Sequence, residues 1–185
     1  MPVILISASI IIFIIVWIIV VYNSFIKEKN LIKEAWSGID VQLKRRYNLI
    51  PNLVESVKGY SSHEKNLFQN ITDMRSRTVR LNDIGDKAKT ESELSGMIKN
   101  LFAVAEGYPD LKASQNFLDL QKQLSEIEEQ IQYARRYYNG TVRDYNISVE
   151  SIPSNIIAAI FGFKQEPFFE ITLVTEKEIP EVKFA

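Results

Sequence analysis

Residues 3 to 21 read VILISASIIIFIIVWIIVV, apolar except for Ser7 and Ser9, and no charged side chain occurs before Lys27. At ~1.5 Å of rise per residue, about 20 such residues cross a hydrocarbon layer ~30 Å thick. The run lacks the marks of a secretory signal peptide. It has no basic n-region, exceeds the length of an h-region and is not followed by a small-x-small cleavage site. The expectation is an uncleaved transmembrane anchor in the bilayer, with Tyr22 and Trp17 toward one interface. Lys27, Lys29, Lys33, Lys44, Arg45 and Arg46 follow it, and only the chain terminus precedes it. The positive-inside tendency then predicts a short N-terminus outside the membrane and the remainder in the cytoplasm.

The hydrophobic content is 46 %, enough for a core, but much of it is spent on this one block. A net charge of −1 gives no global field to recruit nucleic acid, which is not expected as a partner. The absence of cysteine removes disulfides, thiolate catalysis, Cys-ligated zinc and iron–sulfur clusters.

Beyond Leu31 the pattern is helical. Ile32, Trp36, Ile39, Leu43, Tyr47, Ile50, Val54 and Val57 follow spacings of 3 and 4, and no turn signal separates them from the anchor. Ser61 with Glu64 has capping-box spacing and predicts the start of a second helix, striped by Leu67, Phe68, Ile71, Met74, Thr78 and Leu81. Residues 82 to 89 read as a polar loop. Thr90 with Glu93 predicts the opening of a third helix, carrying Leu94, Met97, Ile98, Leu101, Phe102 and Ala105. Tyr108-Pro109 breaks it. A fourth stripe, from Phe117 through Leu124, Ile131 and Tyr138 to Tyr145, persists for about four heptads.

Four amphipathic helices with short connections predict an all-α fold: an N-terminal transmembrane helix, an antiparallel up-and-down four-helix bundle and a short extended C-terminal tail. The corresponding divisions are residues 1–26, 27–163 and 164–185. A single dimeric coiled coil would leave the second and third stripes without a partner. After Pro153, the run IIAAIFGF at 156–163 is too short to cross a bilayer, and the loose alternation of Phe169, Ile171 and Leu173 suggests a strand or an extended strap.

Catalytic constellations are missing. His63 is the single histidine, so neither the paired Glu-x-x-His motifs of a di-iron bundle nor a His-based triad can form. Glu126, Glu128 and Glu129 spread over the outer side of the fourth helix and read as a solvated face. There is no Gly-rich phosphate loop. No catalytic, metal or cofactor-binding residue is expected, and no cofactor.

The segments EAWSGIDVQLKRRYNLIPNLVESVKGYSSHE, AEGYPDLKASQNFLDLQKQL, ARRYYNGTVRDYN and FGF, behind an N-terminal anchor, together resemble the LemA family of bacterial membrane proteins. The resemblance runs from about Tyr22 to Phe163. It implies a single N-terminal transmembrane helix carrying an antiparallel helical bundle, and it supplies no catalytic residues. Some members are associated with membrane-bound zinc peptidases and others with magnetosome-forming machinery.

Two cationic stretches stand out: Arg45-Arg46-Tyr47 and Arg135-Arg136-Tyr137. Counted from Asn30 and from Glu150, Arg46 and Arg136 would stand about 24 Å and about 21 Å above the membrane, level if the first and fourth helices pack side by side. One reading is a basic–aromatic belt for an acidic segment of a membrane or envelope protein. The plainer one is a tyrosine layer edged by arginines whose heads stay wet and pair with Asp40, Glu55 or Glu128. Tyr22, Phe161 and Phe163 are candidate membrane-interface contacts, unless IIAAIFGF instead plugs the end of the bundle. Pro51 removes the bond its amide would make to the Tyr47 carbonyl, so a bend is expected there. The functional expectation is a non-enzymatic scaffold or adaptor, with a self-assembling homo-oligomer as the alternative.

Overall fold

A computed structural model describes residues 2–61 and 64–170, and the Val3 side chain is not among the described parts. The expected Ile171 and Leu173 alternation and His63 lie outside them. The described chain is all-α: α1 (Pro2–Lys58), α2 (Lys65–Val79), α3 (Ile84–Ala105), α4 (Pro109–Lys112), α5 (Gln115–Glu150) and α6 (Ser154–Phe161).

The apolar run and the first charged stripe are one helix. Residues 4–16, with Ile19 and Val20, are exposed, as a segment facing lipid rather than protein would be. Ser7 and Ser9 return their hydroxyls to the Ile4 and Leu5 carbonyls, both at 2.9 Å, so the two polar groups of the run are satisfied within the helix. Among the described residues α1 is the helix long and apolar enough to cross a membrane.

The chain divides into two compact units, and α1 and α5 supply residues to both. The first holds residues 2–40 and Tyr133–Phe168. In it α1 and α5 run antiparallel: Trp36 meets Tyr138 edge-on at 5.6 Å between ring centroids, and Phe25 meets Tyr145 at 6.0 Å. After α6 the chain turns back as an extended strap. Phe163 stacks on Phe25, the Glu166 amide donates to Asn146 Oδ1 at 2.9 Å, and the Pro167 carbonyl accepts from the Tyr138 hydroxyl at 2.9 Å.

The second unit centres on Val41–Gln132. Here the last part of α1, then α2, α3 and the first part of α5 make an up-down-up-down four-helix arrangement. Val54 and Lys58 line one groove with Phe68 and Lys65, which runs α2 back along α1. Phe102 of α3 meets Phe117 of α5 at 5.9 Å, and Ser95 and Glu128 meet through Arg46, which makes that pair antiparallel too. Leu43, Ile50, Leu53, Val57, Ile71, Leu94, Leu101, Leu124 and Ile131 are buried.

Two predicted helix starts are corrected. The third helix opens at Ile84 rather than at Thr90, because the Asp83 carboxylate accepts from the Asp86 amide at 2.9 Å and caps it. Thr90 lies inside α3 and returns its hydroxyl to the Asp86 and Lys87 carbonyls. Glu64 occupies the N-cap of α2 without a side-chain cap bond, so no capping box forms. Ser61 instead accepts a hydrogen bond from the Tyr108 hydroxyl at 3.0 Å, which ties the start of α4 to the end of α1. Pro109 occupies the first turn of α4, where a missing amide costs nothing.

Candidate functional site

In the second unit, three successive residues of α1 have three different fates. Arg45 is exposed and bonds Gln42 at 3.1 Å, one turn away. Arg46 is 0 % exposed. Its guanidinium pairs with Glu91 of α3, reaches Glu128 of α5 at 2.5 Å and donates to the Ser95 hydroxyl at 2.9 Å. Tyr47 is buried beside it and donates its hydroxyl to the same Glu91 carboxylate. The expected edge arginine with a wet head is therefore corrected for Arg46, whose head is in the core because two carboxylates and a hydroxyl replace water around it.

Of the acids named beforehand, Glu128 belongs to this cluster and keeps 39 % of its side chain exposed. Glu126 and Glu129 are on the exposed side, as expected, and Glu55 pairs with Lys58 at 3.0 Å instead. Glu91, Ser95 and Arg75 were not anticipated. Arg75 of α2 donates Nε–H to the Tyr47 carbonyl at 2.7 Å, the carbonyl that Pro51 leaves without an intrahelical donor.

Beside the cluster, α3 and α5 enclose a groove of about 370 Å³, floored by Ile98, Phe102 and Leu124 and walled by Ser95, Ser125 and Glu128. No group of three or more His, Cys, Asp or Glu side chains able to hold a metal ion occurs among the described residues.

In the first unit, Arg135 is half-buried, the Arg136 guanidinium lies 4.7 Å from the Tyr133 ring centroid, and Tyr137 is exposed. The two Arg-Arg-Tyr stretches thus belong to different units, each with its own surroundings. Tyr22, Phe161 and Phe163 do come together: Tyr22 lies 4.9 Å from Phe161 and 5.7 Å from Phe163, centroid to centroid. Gly162 makes this geometry. Its φ of 72° stops α6, and the Phe163 amide reaches back to the Ala158 carbonyl at 2.9 Å.

Nearby, the Tyr138 hydroxyl is pushed up to about 12 by burial and by the Glu166 charge. The Tyr145 hydroxyl is raised by burial, then by Glu166 and Glu28. Lys29 pairs with Glu166 at 3.2 Å. Both phenols stay neutral in the folded chain; Tyr138 serves as a hydrogen-bonding group and Tyr145 as a packing group.

The LemA family pattern matches residues 35–184. Magnetosome protein MamQ 2 of Paramagnetospirillum magneticum is 27 % identical over 175 residues, covering 80 % of this chain and 64 % of the relative. Magnetosome protein MamQ of Magnetospirillum gryphiswaldense is 23 % identical over 174 residues, with the same shares of 80 % and 64 %. Protein LemA of Metamycoplasma hominis is 28 % identical over 158 residues, covering 85 % of this chain and 72 % of its own length. The chain therefore spans under two thirds of the length of the MamQ relatives. None of these names states a reaction.

Proposed function

Since the chain belongs to the LemA family, we propose that it is a single-pass membrane protein whose helical units act as a non-enzymatic scaffold or adaptor for another membrane or envelope protein. The observation that carries this reading is α1. One continuous helix leaves Ile4 to Val16 exposed and apolar but for Ser7 and Ser9, then buries Ile39, Leu43, Ile50 and Val57 against protein. Its two halves suit two solvents. The magnetosome relatives are consistent with membrane association. The cations after the apolar run favour helical units on the cytoplasmic side of a bacterial cell membrane.

A structural rather than catalytic role is supported by the buried charges. Arg46 and Glu91 are committed to each other, and Glu128, Ser95 and Tyr47 complete the cluster. The surfaces left for a partner are Arg45 in one unit and Arg136 with Tyr137 in the other, all exposed.

The test is photo-crosslinking in intact membranes, with the reactive residue at Arg45 or Tyr137. Adducts to a different protein that disappear on Arg45→Glu or Arg136→Glu, with unchanged thermal stability, support the adaptor. Adducts of the chain only with itself replace it by the self-assembling reading. Absence of any adduct at both positions removes the partner role.

A further inference from the structure

The apolar residues of α6 are divided between two environments. Ile157 and Ala158 are buried, whereas Ile156 is 55 % and Ile160 68 % exposed. Those two lie one turn apart on the same row of the helix, with Ile152 exposed just ahead of them and Phe161 half-exposed just after. No charged residue occurs from 151 to 163. A contiguous apolar row of this kind on a chain's surface marks a contact with something apolar.

What covers it follows from its position in the first unit. The edge-on contact of Phe161 with Tyr22 places the end of α6 beside the residue where the apolar run of α1 stops. Phe163, stacked 4.7 Å from Phe25, holds it there from the other side. The end of the exposed row thus lies beside Tyr22, next in α1 to the exposed Ile19 and Val20, where a spanning helix leaves the hydrocarbon. Lys27 and Lys164, both exposed, flank this level, as cations beside anionic headgroups do.

We propose that α6 is a second membrane contact: Ile152, Ile156, Ile160 and Phe161 lie in the headgroup–acyl boundary of the leaflet from which α1 emerges. This rests on residues 3–21 spanning the bilayer. Short apolar faces of this type settle about 5–10 Å into the boundary. Phe163 takes a different place in this arrangement. It is the inner wedge between α6 and α1, while the isoleucines face the lipid. Gly162 lets one three-residue segment supply both Phe161 and Phe163, one on each side of a left-handed turn.

The chain has no cysteine, so single labels can be placed in the full-length protein without background. Ile156→Cys and Ile160→Cys would carry an environment-sensitive fluorophore in vesicles of phosphatidylcholine and phosphatidylglycerol, with Ile12→Cys and Val79→Cys as references. Lipids bearing a quencher at a shallow acyl position are expected to quench labels at 156 and 160. Deep quenchers should act at 12, and only a water-soluble quencher at 79. If 12 is deep but 156 and 160 behave like 79, α6 is not at the membrane although the span stands. If 12 is itself water-accessible, the spanning reading fails and takes this proposal with it. Labels at 156 and 160 shielded from both classes of quencher mean that protein covers the row, which also overturns it. Ile156→Ser with Ile160→Ser should leave the thermal midpoint in detergent unchanged. A large fall would show that the row is packed in the protein core.

Discussion

Arg75 of α2 donates its Nε–H to the backbone carbonyl of Tyr47 in α1, 2.7 Å away. Four residues on, Pro51 has no amide to offer that carbonyl, so the donor an α-helix would normally supply comes from a neighbouring helix. Pro51 and Arg75, 24 positions apart in the sequence, are in this sense two parts of one device. A break in the α1 ladder is converted into a bond that fixes α2 against α1.

That relationship predicts a coupled pair of substitutions. Arg75→Met removes this donor from the Tyr47 carbonyl and should destabilise the chain by about 1–3 kcal/mol. Pro51→Ala restores an amide at the position the carbonyl expects, so Arg75→Met should cost measurably less in its presence. Chemical denaturation of the four chains of this cycle gives the coupling. Equal costs of Arg75→Met in both backgrounds would show that Arg75 acts on something other than the proline-freed carbonyl.

Arg46 and Glu91 form the second test, because each is fully buried. Arg46→Met takes the guanidinium from the buried Glu91, and Glu91→Leu leaves the buried Arg46 with the partly exposed Glu128. Arg46→Met or Glu91→Leu alone should therefore cost about 3–5 kcal/mol. The double variant, which exchanges a buried ion pair for apolar contacts, should be far less damaging than the sum. Denaturation midpoints of the two singles and the double decide it. Strict additivity would mean the two side chains do not share one interaction.

This cluster also shows how far the sequence alone could be read. Ile39, Leu43, Ile50 and Val57 announced the core face of α1 through their spacing, and all are buried. Arg46 falls in the same register, between Leu43 and Ile50. Glu91 likewise precedes Leu94, Ile98, Leu101 and Ala105 by a helical step. A charge in phase with an apolar stripe is the signal that could have found the buried pair. Periodicity could not say that these two charges face each other, since their pairing depends on which helices become neighbours. The capping-box spacing at Thr90 misled because Asp83 offered a carboxylate earlier, before an apolar pattern thin enough to look like a loop. FGF carried little by itself, and only the left-handed turn at Gly162 explains why two phenylalanines bracket a glycine.

Gly162 supplies a third prediction. Its φ of 72° is a conformation in which a Cβ is strained although no neighbouring atom blocks the space. Gly162→Ala should cost about 1–2 kcal/mol, and the damage should be local. Amide exchange is expected to quicken across α6 and at Phe163, whose amide bonds the Ala158 carbonyl, while α3 is unaffected. Uniform acceleration through the chain would mean that the turn is coupled to global unfolding.

Tyrosine titration supplies the last. The Tyr138 hydroxyl donates to the Pro167 carbonyl at 2.9 Å, and burial together with the Glu166 charge raises its pKa from 10.0 to about 12. The folded chain thus holds this proton where the unfolded chain has released it. The associated stability is fully present below pH 10 and is lost as pH rises through about 12. Tyr145 is raised in the same direction, by burial first and then by Glu166 and Glu28, but its hydroxyl finds no partner among the described residues. Tyr138→Phe should therefore cost about 1 kcal/mol at neutral pH through the lost hydrogen bond. It should also flatten the alkaline fall in stability. Tyr145→Phe should cost less at neutral pH, because it removes a buried hydroxyl that bonds nothing among the described residues, and should flatten the same alkaline limb. Denaturation between pH 7 and the alkaline limit, with phenolate absorbance followed in parallel, separates the two. An alkaline limb unchanged in both variants would place the late-titrating phenols elsewhere in the chain.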